Sequence, residues 1–313
     1  MPKLLGFIFV FALAILFFNR SVISNFKTKV ESLDLLVSKE RRDYKRECFR
    51  LFKELSSPNP KQFFRPPLKE PPAELMNEFT QNGDMPITKF WYFNDVYSDS
   101  DKKDKDVKEF ISKTQMEELK STDGTSKHGY PDWYGPQSRL MAKYSSAIRD
   151  KKAVVIGTTQ PWLEATCLNA GASKVTTLEF TRKEYEQKEI LEWFHVQDYM
   201  NYLIKNEKIE EFDNAASYSS IEHTGLGRYG DPLDPNGDIK AVKQAHCMIK
   251  PGGLFFLGLP TSKDNSSYIE FNAHRVYGHK RLAKLFVGWD LLDETPRTQV
   301  HSVFVLRKKS MLV

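Results

Sequence analysis

Cysteine is scarce in this sequence, which limits the kinds of site it can build. Cys48, Cys167 and Cys247 are too few and too scattered for a disulfide framework, and no pair has metal-ligand spacing. We therefore expect no metal site. Cys167 and Cys247 fall on apolar faces of predicted helices, where cysteine behaves as a small buried hydrophobic residue. Cys48 could pair between two chains if the compartment is oxidising.

The chain also lacks a block of charge of one sign. Its 46 basic residues against 41 acidic ones give a net charge of +5, and the excess is spread along the chain. The basic residues from Lys39 to Arg46 alternate with acidic ones, as on a solvated helix face. Binding to nucleic acid needs clustered positive charge that neutralises phosphates. The composition therefore argues against nucleic acid as a partner.

One long apolar run is present at the N-terminus. Leu4–Phe18 contains fifteen apolar or small residues, with Lys3 before it and Arg20 shortly after. This length suits a cleaved signal peptide or an uncleaved anchor. Because no small-residue cleavage motif follows, we expect a single-pass type II anchor in the Golgi or endoplasmic reticulum membrane. Secretion after cleavage is the alternative, and Asn265-Ser266-Ser267 is a glycosylation sequon usable in either case.

The remaining chain divides by pattern. We predict an anchor over 1–25, a stem helix and proline-rich linker over 26–72, an accessory region over 73–150 and a nucleotide-binding domain over 151–313. Residues 26–55 carry apolar side chains at spacings of three, four and seven, typical of an amphipathic helix that could self-associate into a homodimer. Six prolines between Ser56 and Pro72 exclude a helix there.

Strands alternate with helices from Lys151 onward. We predict strands at 153–156, 174–180, within 192–199, at 212–218 and at 253–259, then a hairpin of 289–292 with 299–307. Pro161 fits the first turn of a helix after the first strand, and a later helix is predicted over 239–249. This alternation predicts an α/β fold with a mostly parallel sheet, right-handed crossovers and an antiparallel C-terminal edge.

Ligands of such sheets bind where the strand order reverses, so the turn after the first strand matters most. There the chain reads Gly157-Thr158-Thr159-Gln160-Pro161, and Glu179 ends the second strand. Gly157 permits close backbone approach, and Glu179 is placed to accept hydrogen bonds from both ribose hydroxyls. The turn lacks the further glycines that the pyrophosphate of NAD requires. S-adenosylmethionine carries no phosphate and fits this turn better.

Three segments carry a family resemblance. VVIGTTQPWLEATCLNAGASKVTTLEF, SYSSIEHTGLGRYGD and KPGGLFFLGLP resemble the nematode-rich family known as domain of unknown function 268, which is regarded as methyltransferase-like. The resemblance covers about residues 130–307. It implies a class I methyltransferase, Rossmann-like mixed sheet that binds S-adenosylmethionine.

The resemblance also implies roles for individual residues. Gly157, Thr158 and Pro161 would line the methionine part of the cofactor. Glu179 would hold the ribose, and Asp198 would lie at the adenine. The group is similar to animal secretory-pathway enzymes that O-methylate glycans, including the 2-hydroxyl of fucose, which implies a glycan acceptor.

Transfer of a methyl group to a hydroxyl needs a base beside the sulfonium, and that base should follow the fourth strand. We predict His223 as the base, with Glu222 orienting it or Asp231 replacing it. His223 could instead pack against the cofactor or bond a loop. Arg228 and Tyr229 follow in the same loop as candidate substrate ligands.

Two further residues are predicted to reach the substrate. His274 follows the fifth strand, and Trp133 could stack on a sugar face or serve as a packing anchor. The sequence thus predicts a membrane-anchored, S-adenosylmethionine-dependent O-methyltransferase with a lumenal domain that acts on a glycan hydroxyl. A catalytically inactive scaffold and a tethered small-molecule or lipid methyltransferase are the alternatives.

Overall fold

The computed structural model describes residues 35–57, 61, 67–90, 109–121, 135–229, 231–296 and 301–310. The apolar run Leu4–Phe18 and Trp133 lie outside these ranges, so the anchor and the sugar-stacking role stay predictions. Among the residues that the structure describes, no helix combines the length and apolar character that crossing a bilayer requires. The chain divides into two compact units, and the account below concerns the larger, Cys48–Lys309.

The helices and strands follow the predicted alternation. The helices are α1 (35–56), α2 (Met76–Thr80), α3 (Lys113–Ser121), α4 (Gly135–Lys143), α5 (Ser145–Ile148), α6 (Trp162–Asn169), α7 (Val196–Lys205), α8 (Gly237–Met248) and α9 (His279–Leu285). The strands are β1 (Ile87–Phe90), β2 (Glu109–Ile111), β3 (Lys152–Ile156), β4 (Lys174–Leu178), β5 (Lys183–Tyr185), β6 (Leu191–Phe194), β7 (Phe212–Tyr218), β8 (Ile249–Pro260), β9 (Tyr268–Phe271), β10 (His274–Val276), β11 (Trp289–Glu294) and β12 (His301–Lys308).

The central sheet has seven strands in the order β11-β12-β8-β7-β3-β4-β6. Strands β6, β4, β3, β7 and β8 run parallel, whereas β12 is antiparallel to both β8 and β11. This is the class I Rossmann-like order, and it confirms the mostly parallel sheet with an antiparallel C-terminal hairpin. The chain builds outward from β3 to β6 and then returns to the other side of β3 at β7. The strand order therefore reverses between β3 and β7, where a ligand is expected.

The parallel strands are buried on both faces, which explains their unbroken apolar runs. Val154 and Val155 of β3 and Phe255, Phe256 and Leu257 of β8 are all fully buried. Helices cover both faces of a parallel sheet, so neither face needs polar residues. Packing of this kind supplies the rigid edge from which the site residues project.

The third strand of the central sheet along the chain, β6, overlaps the start of the range 192–199 within which the sequence predicts it. It ends at Phe194, and residues from Val196 form α7. Val196, Tyr199, Met200 and Leu203 recur at helical spacing, so the apolar face continues with a period of 3.6 instead of 2. Asp198 consequently lies in the first turn of a helix, not at a strand end.

The accessory region adds strands at two places. β1 pairs in parallel with β9 in a three-stranded sheet with β10, and β2 pairs in parallel with β5. In α4, the buried Gln137 donates from Nε2 to the carbonyl oxygen of Phe256 at 3.2 Å. Backbone pairing therefore fastens the described part of this region to two small sheets outside the central one, and the buried Gln137 side chain fastens it to β8 of the central sheet.

Two expectations about cysteine are wrong. Cys48 and Cys247 form a disulfide within the chain, across a sequence separation of 199 residues. It joins α1 to α8, and an ion pair between Glu54 and Lys240 links the same two helices. Spacing along the chain cannot reveal a pair brought together by folding. Cys167 is a buried thiol as expected, and burial raises its pKa.

Removing the disulfide is expected to lower the free energy of unfolding by about 2–5 kcal/mol, because the cross-link restricts the unfolded chain. Chemical denaturation of the Cys48→Ser, Cys247→Ser double variant measures the change. Reductant should shift the wild-type midpoint toward that of the double variant and leave the variant unmoved. An equal shift in both proteins, or none in the wild type, would contradict the pairing.

Candidate functional site

The turn after β3 is shaped by one glycine. Gly157 has φ +69°, a left-handed conformation that favours glycine, and a Cβ there would lie 1.8 Å from Oγ of Ser220. Ser220 belongs to the turn after β7, so this close approach joins the two turns at the reversal of strand order. Thr158 and Pro161 are buried, and Pro161 immediately precedes α6. The absence of a Cβ at Gly157 thus permits the two turns to meet.

Glu179 connects the β3 turn to the end of β4. Its Oε2 accepts from the backbone N–H of Thr158 at 2.8 Å, and its Oε1 accepts from that of Phe180 at 2.6 Å. Burial raises the pKa of Glu179, and these N–H groups oppose the rise. A carboxylate offers about four lone-pair positions. Oε1 also accepts from the backbone N–H of Thr181 at 3.4 Å, so three backbone bonds leave acceptor capacity for one hydroxyl group of a ligand.

Aromatic rings lie beside Glu179. Phe180 is 55% exposed, and its ring meets that of His195 edge to face at 5.3 Å. The indole Nε1 of Trp193 donates to the backbone carbonyl oxygen of Glu179 at 3.1 Å. Asp198 is exposed in the first turn of α7, three residues beyond His195. Sequence analysis missed the Phe180–His195 pair, although Phe180 ends one predicted strand and His195 lies within the range of the next.

The turn after β7 forms a hydrogen-bonded chain around Glu222. Ser219 has φ +49° and donates from Oγ to Oε1 of Glu222 at 2.8 Å. The hydroxyl proton of Ser219 is therefore used in the bond to Glu222. Nε2 of His301 lies 3.0 Å from Oγ of Ser219, so this nitrogen carries a proton and donates it to Oγ. His301 lies 82 residues beyond Ser219 in the sequence. The pairing of β12 with β8 brings it to Ser219, and its ring stacks on Tyr218 at 5.2 Å.

Ser219 in this hydrogen-bonded chain is not activated as the catalytic serine of a hydrolase is. In a catalytic triad, histidine accepts the serine proton, and a carboxylate holds the other ring nitrogen. Here His301 donates to Ser219, and Glu222 lies 3.8 Å from the same Nε2. The arrangement holds the Glu222 carboxylate in place and does not activate Ser219.

Glu222 is fully buried between two imidazoles. Its Oε1 lies 3.7 Å from Nε2 of His223 and 3.8 Å from Nε2 of His301. Burial raises the pKa of Glu222, but attraction to the two histidines outweighs this, so the pKa lies below its ordinary value. The carboxyl is therefore ionised at neutral pH. Its Oε2 has no hydrogen-bond partner among the described residues.

His223 is oriented as a base would be. Its Nδ1 lies 2.5 Å from the carbonyl oxygen of Ala273, so that nitrogen carries the proton and Nε2 keeps its lone pair. Burial lowers the pKa of His223, and Glu222 opposes the shift. The ring is therefore neutral at pH 7. It touches Tyr229 at 5.5 Å and His274 at 6.3 Å between ring centroids.

The loop after His223 places the other predicted residues in two groups. Arg228 and Tyr229 stay with His223: Arg228 donates to the carbonyl oxygen of Ala273 at 3.2 Å, and Tyr229 is 43% exposed. Asp231 instead accepts from the backbone N–H groups of Gly225 and Tyr229 at 2.6 and 3.2 Å. Both its carboxylate oxygens thus bind the loop itself. Burial raises the pKa of Asp231, and these bonds oppose the rise.

A buried arginine holds this loop in place. Arg275 is fully buried and donates to the carbonyl oxygens of Thr224 at 2.6 Å and Asp234 at 3.1 Å. Its Nε lies 3.8 Å from Oδ1 of Asp238, a carboxylate that Arg281 also binds. Sequence analysis gave Arg275 no structural role. No local pattern distinguishes a buried clamp of this kind from an exposed arginine.

A family model described as "Caenorhabditis protein of unknown function, DUF268" matches residues 150–310, about half of the chain. The chain belongs to this family. This match confirms the family resemblance of the three sequence segments. The matched residues 150–310 include all the site residues described above. No curated protein matches the sequence.

Solved structures similar to this DUF268 protein are distant in sequence. The 1,6-didemethyltoxoflavin-N1-methyltransferase of Burkholderia thailandensis, with S-adenosylhomocysteine bound, is 16% identical over 62% of this chain and 87% of its own, with a TM-score of 0.42. The N-methyltransferase NodS of Bradyrhizobium japonicum, in complex with S-adenosylhomocysteine, is 11% identical over 63% and 98%, with a TM-score of 0.37. The fold assignment of the DUF268 domain therefore rests on its own strand order.

Metal ligands are not gathered at this site. Within the described ranges, no group of histidine, cysteine, aspartate and glutamate side chains has the geometry to hold an ion.

Proposed function

We propose that this protein is an S-adenosylmethionine-dependent O-methyltransferase that acts on a glycan hydroxyl in the secretory pathway. The observation that carries the proposal is the meeting of two turns at the reversal of strand order. One turn, at Gly157, holds the Glu179 carboxylate beside it. The other, after β7, presents Glu222 and His223.

The residues present fit this cofactor. The exposed ring of Phe180 with His195 offers an apolar surface for adenine, and Glu179 retains acceptor capacity for the ribose. Gly157, whose missing Cβ leaves room for Ser220, would bring the two turns together beside the methionine part. When bound, S-adenosylmethionine would supply an electrophilic methyl group at the end of β7. The buried Oε2 of Glu222 has no hydrogen-bond partner among the described residues, so it retains an acceptor position for a bound ligand.

His223 would take the proton of the acceptor hydroxyl on Nε2 as the oxygen attacks. The carbonyl of Ala273 fixes the tautomer, because it requires the proton on Nδ1. Glu222, at 3.7 Å, would stabilise the imidazolium that results. The exposed ring of Tyr229, beside His223, offers a sugar an apolar face.

The disulfide supports a secretory location. Structural disulfides persist in oxidising compartments and are rare in the cytosol. Cys48 and Cys247 are paired, and the apolar run Leu4–Phe18 would direct the chain there. A type II anchor with the catalytic unit in the lumen satisfies both features.

Calorimetry with S-adenosylhomocysteine on the full chain in detergent tests the cofactor. We expect binding by the wild type and at least a tenfold loss, about 1.4 kcal/mol, in Glu179→Gln, because a neutral amide accepts the ribose hydrogen bonds more weakly. The matched control is Glu184→Gln on β5, whose partner is the surface residue Lys188 at 3.5 Å.

Binding of NAD with no binding of S-adenosylhomocysteine would refute the proposal. Transfer of a labelled methyl group to a fucosylated oligosaccharide then tests the acceptor. Cofactor binding without transfer to any glycan would favour an inactive scaffold, and transfer to a lipid would favour the tethered alternative.

A further inference from the structure

We propose that Asn265 carries an N-linked glycan. It begins the sequon Asn265-Ser266-Ser267, whose middle residue is not proline, and it is exposed in the loop between β8 and β9. Its φ of +61° places it in the left-handed region, which asparagine adopts more readily than most residues. A sugar on this side chain would extend into solvent.

Several bonds that hold the shape of the loop do not use the side-chain amide of Asn265. Asp264 accepts from the backbone N–H of Ser266 at 3.0 Å, and Ser262 donates to the carbonyl oxygen of Ser266 at 2.6 Å. Ser267 accepts from the backbone N–H of Gly278 at 2.9 Å. The Asn265 backbone carbonyl accepts from the N–H of His279 at 3.3 Å.

The same bonds determine when modification takes place. Oligosaccharide transfer to a sequon uses the hydroxyl of its third residue, and Ser267 is only 7% exposed with its oxygen bound to Gly278. A modifying enzyme therefore reaches Ser267 before β9 and β10 pair and Gly278 docks. Transfer precedes folding of this segment, as in a chain entering the secretory pathway.

A second observation, independent of the sequon, supports the secretory location proposed above, on which this inference rests. Cys48 and Cys247 are paired, and such a bond persists in an oxidising lumen. In the reaction, the amide nitrogen of Asn265 attacks the anomeric carbon of a lipid-pyrophosphate-linked oligosaccharide. A carbon–nitrogen bond forms, the carbon–oxygen bond to pyrophosphate breaks, and the lipid pyrophosphate and the amide proton leave.

The test is full-length protein produced in cells that glycosylate asparagine. Digestion with a peptide-N-glycosidase should lower the mass of the wild type and convert Asn265 to aspartate. Asn265→Gln should lose this mass change, whereas Ser267→Thr, which retains a hydroxyl acceptor for Gly278, should keep it. Asn19-Arg20-Ser21 is a second sequon beside the apolar run, so Asn19→Gln is the matched control and should retain the change at Asn265.

An unmodified Asn265 peptide in wild-type protein overturns the proposal, whether Cys48 and Cys247 are found oxidised or reduced. A mass change that survives in Asn265→Gln but disappears in Asn19→Gln also overturns it. Both results are independent of methyl transfer, since binding of S-adenosylhomocysteine can succeed or fail with either state of Asn265.

Discussion

His223→Gln is expected to lower kcat for methyl transfer by about 10²–10⁴-fold while binding of S-adenosylhomocysteine stays within twofold of wild type. The variant keeps a polar side chain of similar size but has no basic nitrogen to replace Nε2. Because Nδ1 of His223 bonds the carbonyl of Ala273 and not the cofactor turn, the loss should fall on turnover. Initial rates with labelled donor and calorimetry measure the two quantities.

The pH profile provides a second readout of the same residue. Burial lowers the pKa of His223 below that of an ordinary histidine, so the unprotonated base persists at neutral pH. Wild-type kcat/KM should be flat near pH 7 and fall on acidification below the ordinary histidine range. Residual activity of His223→Gln should lack this acid limb. An unchanged limb in the variant would assign it to another group.

His279→Gln is the matched control for these measurements. His279 is an exposed histidine at the start of α9, so its replacement should change neither kcat nor the acid limb. If both histidine variants lost activity equally, or if His223→Gln lost cofactor binding with its turnover, His223 would serve packing and not proton transfer.

Arg275→Met is expected to lower the free energy of unfolding by about 3–5 kcal/mol, because it removes one partner from a fully buried network and leaves the others unsatisfied. Arg275 binds the carbonyl oxygens of Thr224 and Asp234 and lies 3.8 Å from Asp238. Methionine fills a similar volume but has no hydrogen-bond donors, so the decrease in the free energy of unfolding measures the loss of the hydrogen bonds and of the charge. Urea denaturation monitored by tryptophan fluorescence measures it.

Arg307→Met is the matched surface control. Arg307 pairs with Asp290 at 3.2 Å, and both side chains are substantially exposed, at 49% and 39%. Exposed ion pairs contribute about 0–1 kcal/mol, so this variant should lie near wild type. Equal losses in the two variants would mean that Arg275 is not a clamp. A loss confined to Arg275→Met would support its role in holding the loop that carries Arg228 and Tyr229.

Much of the site is readable from local pattern, as two examples show. Gly157 ends a continuous apolar strand and Glu179 ends the next, so their meeting at one sheet edge follows from strand alternation. Glu222 and His223 follow the fourth strand of the sheet at the same edge. These placements need only the rule that parallel strands end together. The helix that contains Asp198 could not be predicted in this way, because over only a few residues the same apolar pattern fits a strand or a helix.

The sequence by itself determined the α/β class, the positions along the chain of the strands of the central sheet, and the family, because periodic apolar runs and short motifs are local properties. Only the tertiary structure decided the pairing of Cys48 with Cys247, the approach of His301 to Ser219 and the burial of Arg275. Each of these contacts joins residues far apart in the chain, across strands or helices whose neighbours are set by the global order of the sheet. No spacing along the chain records such an order.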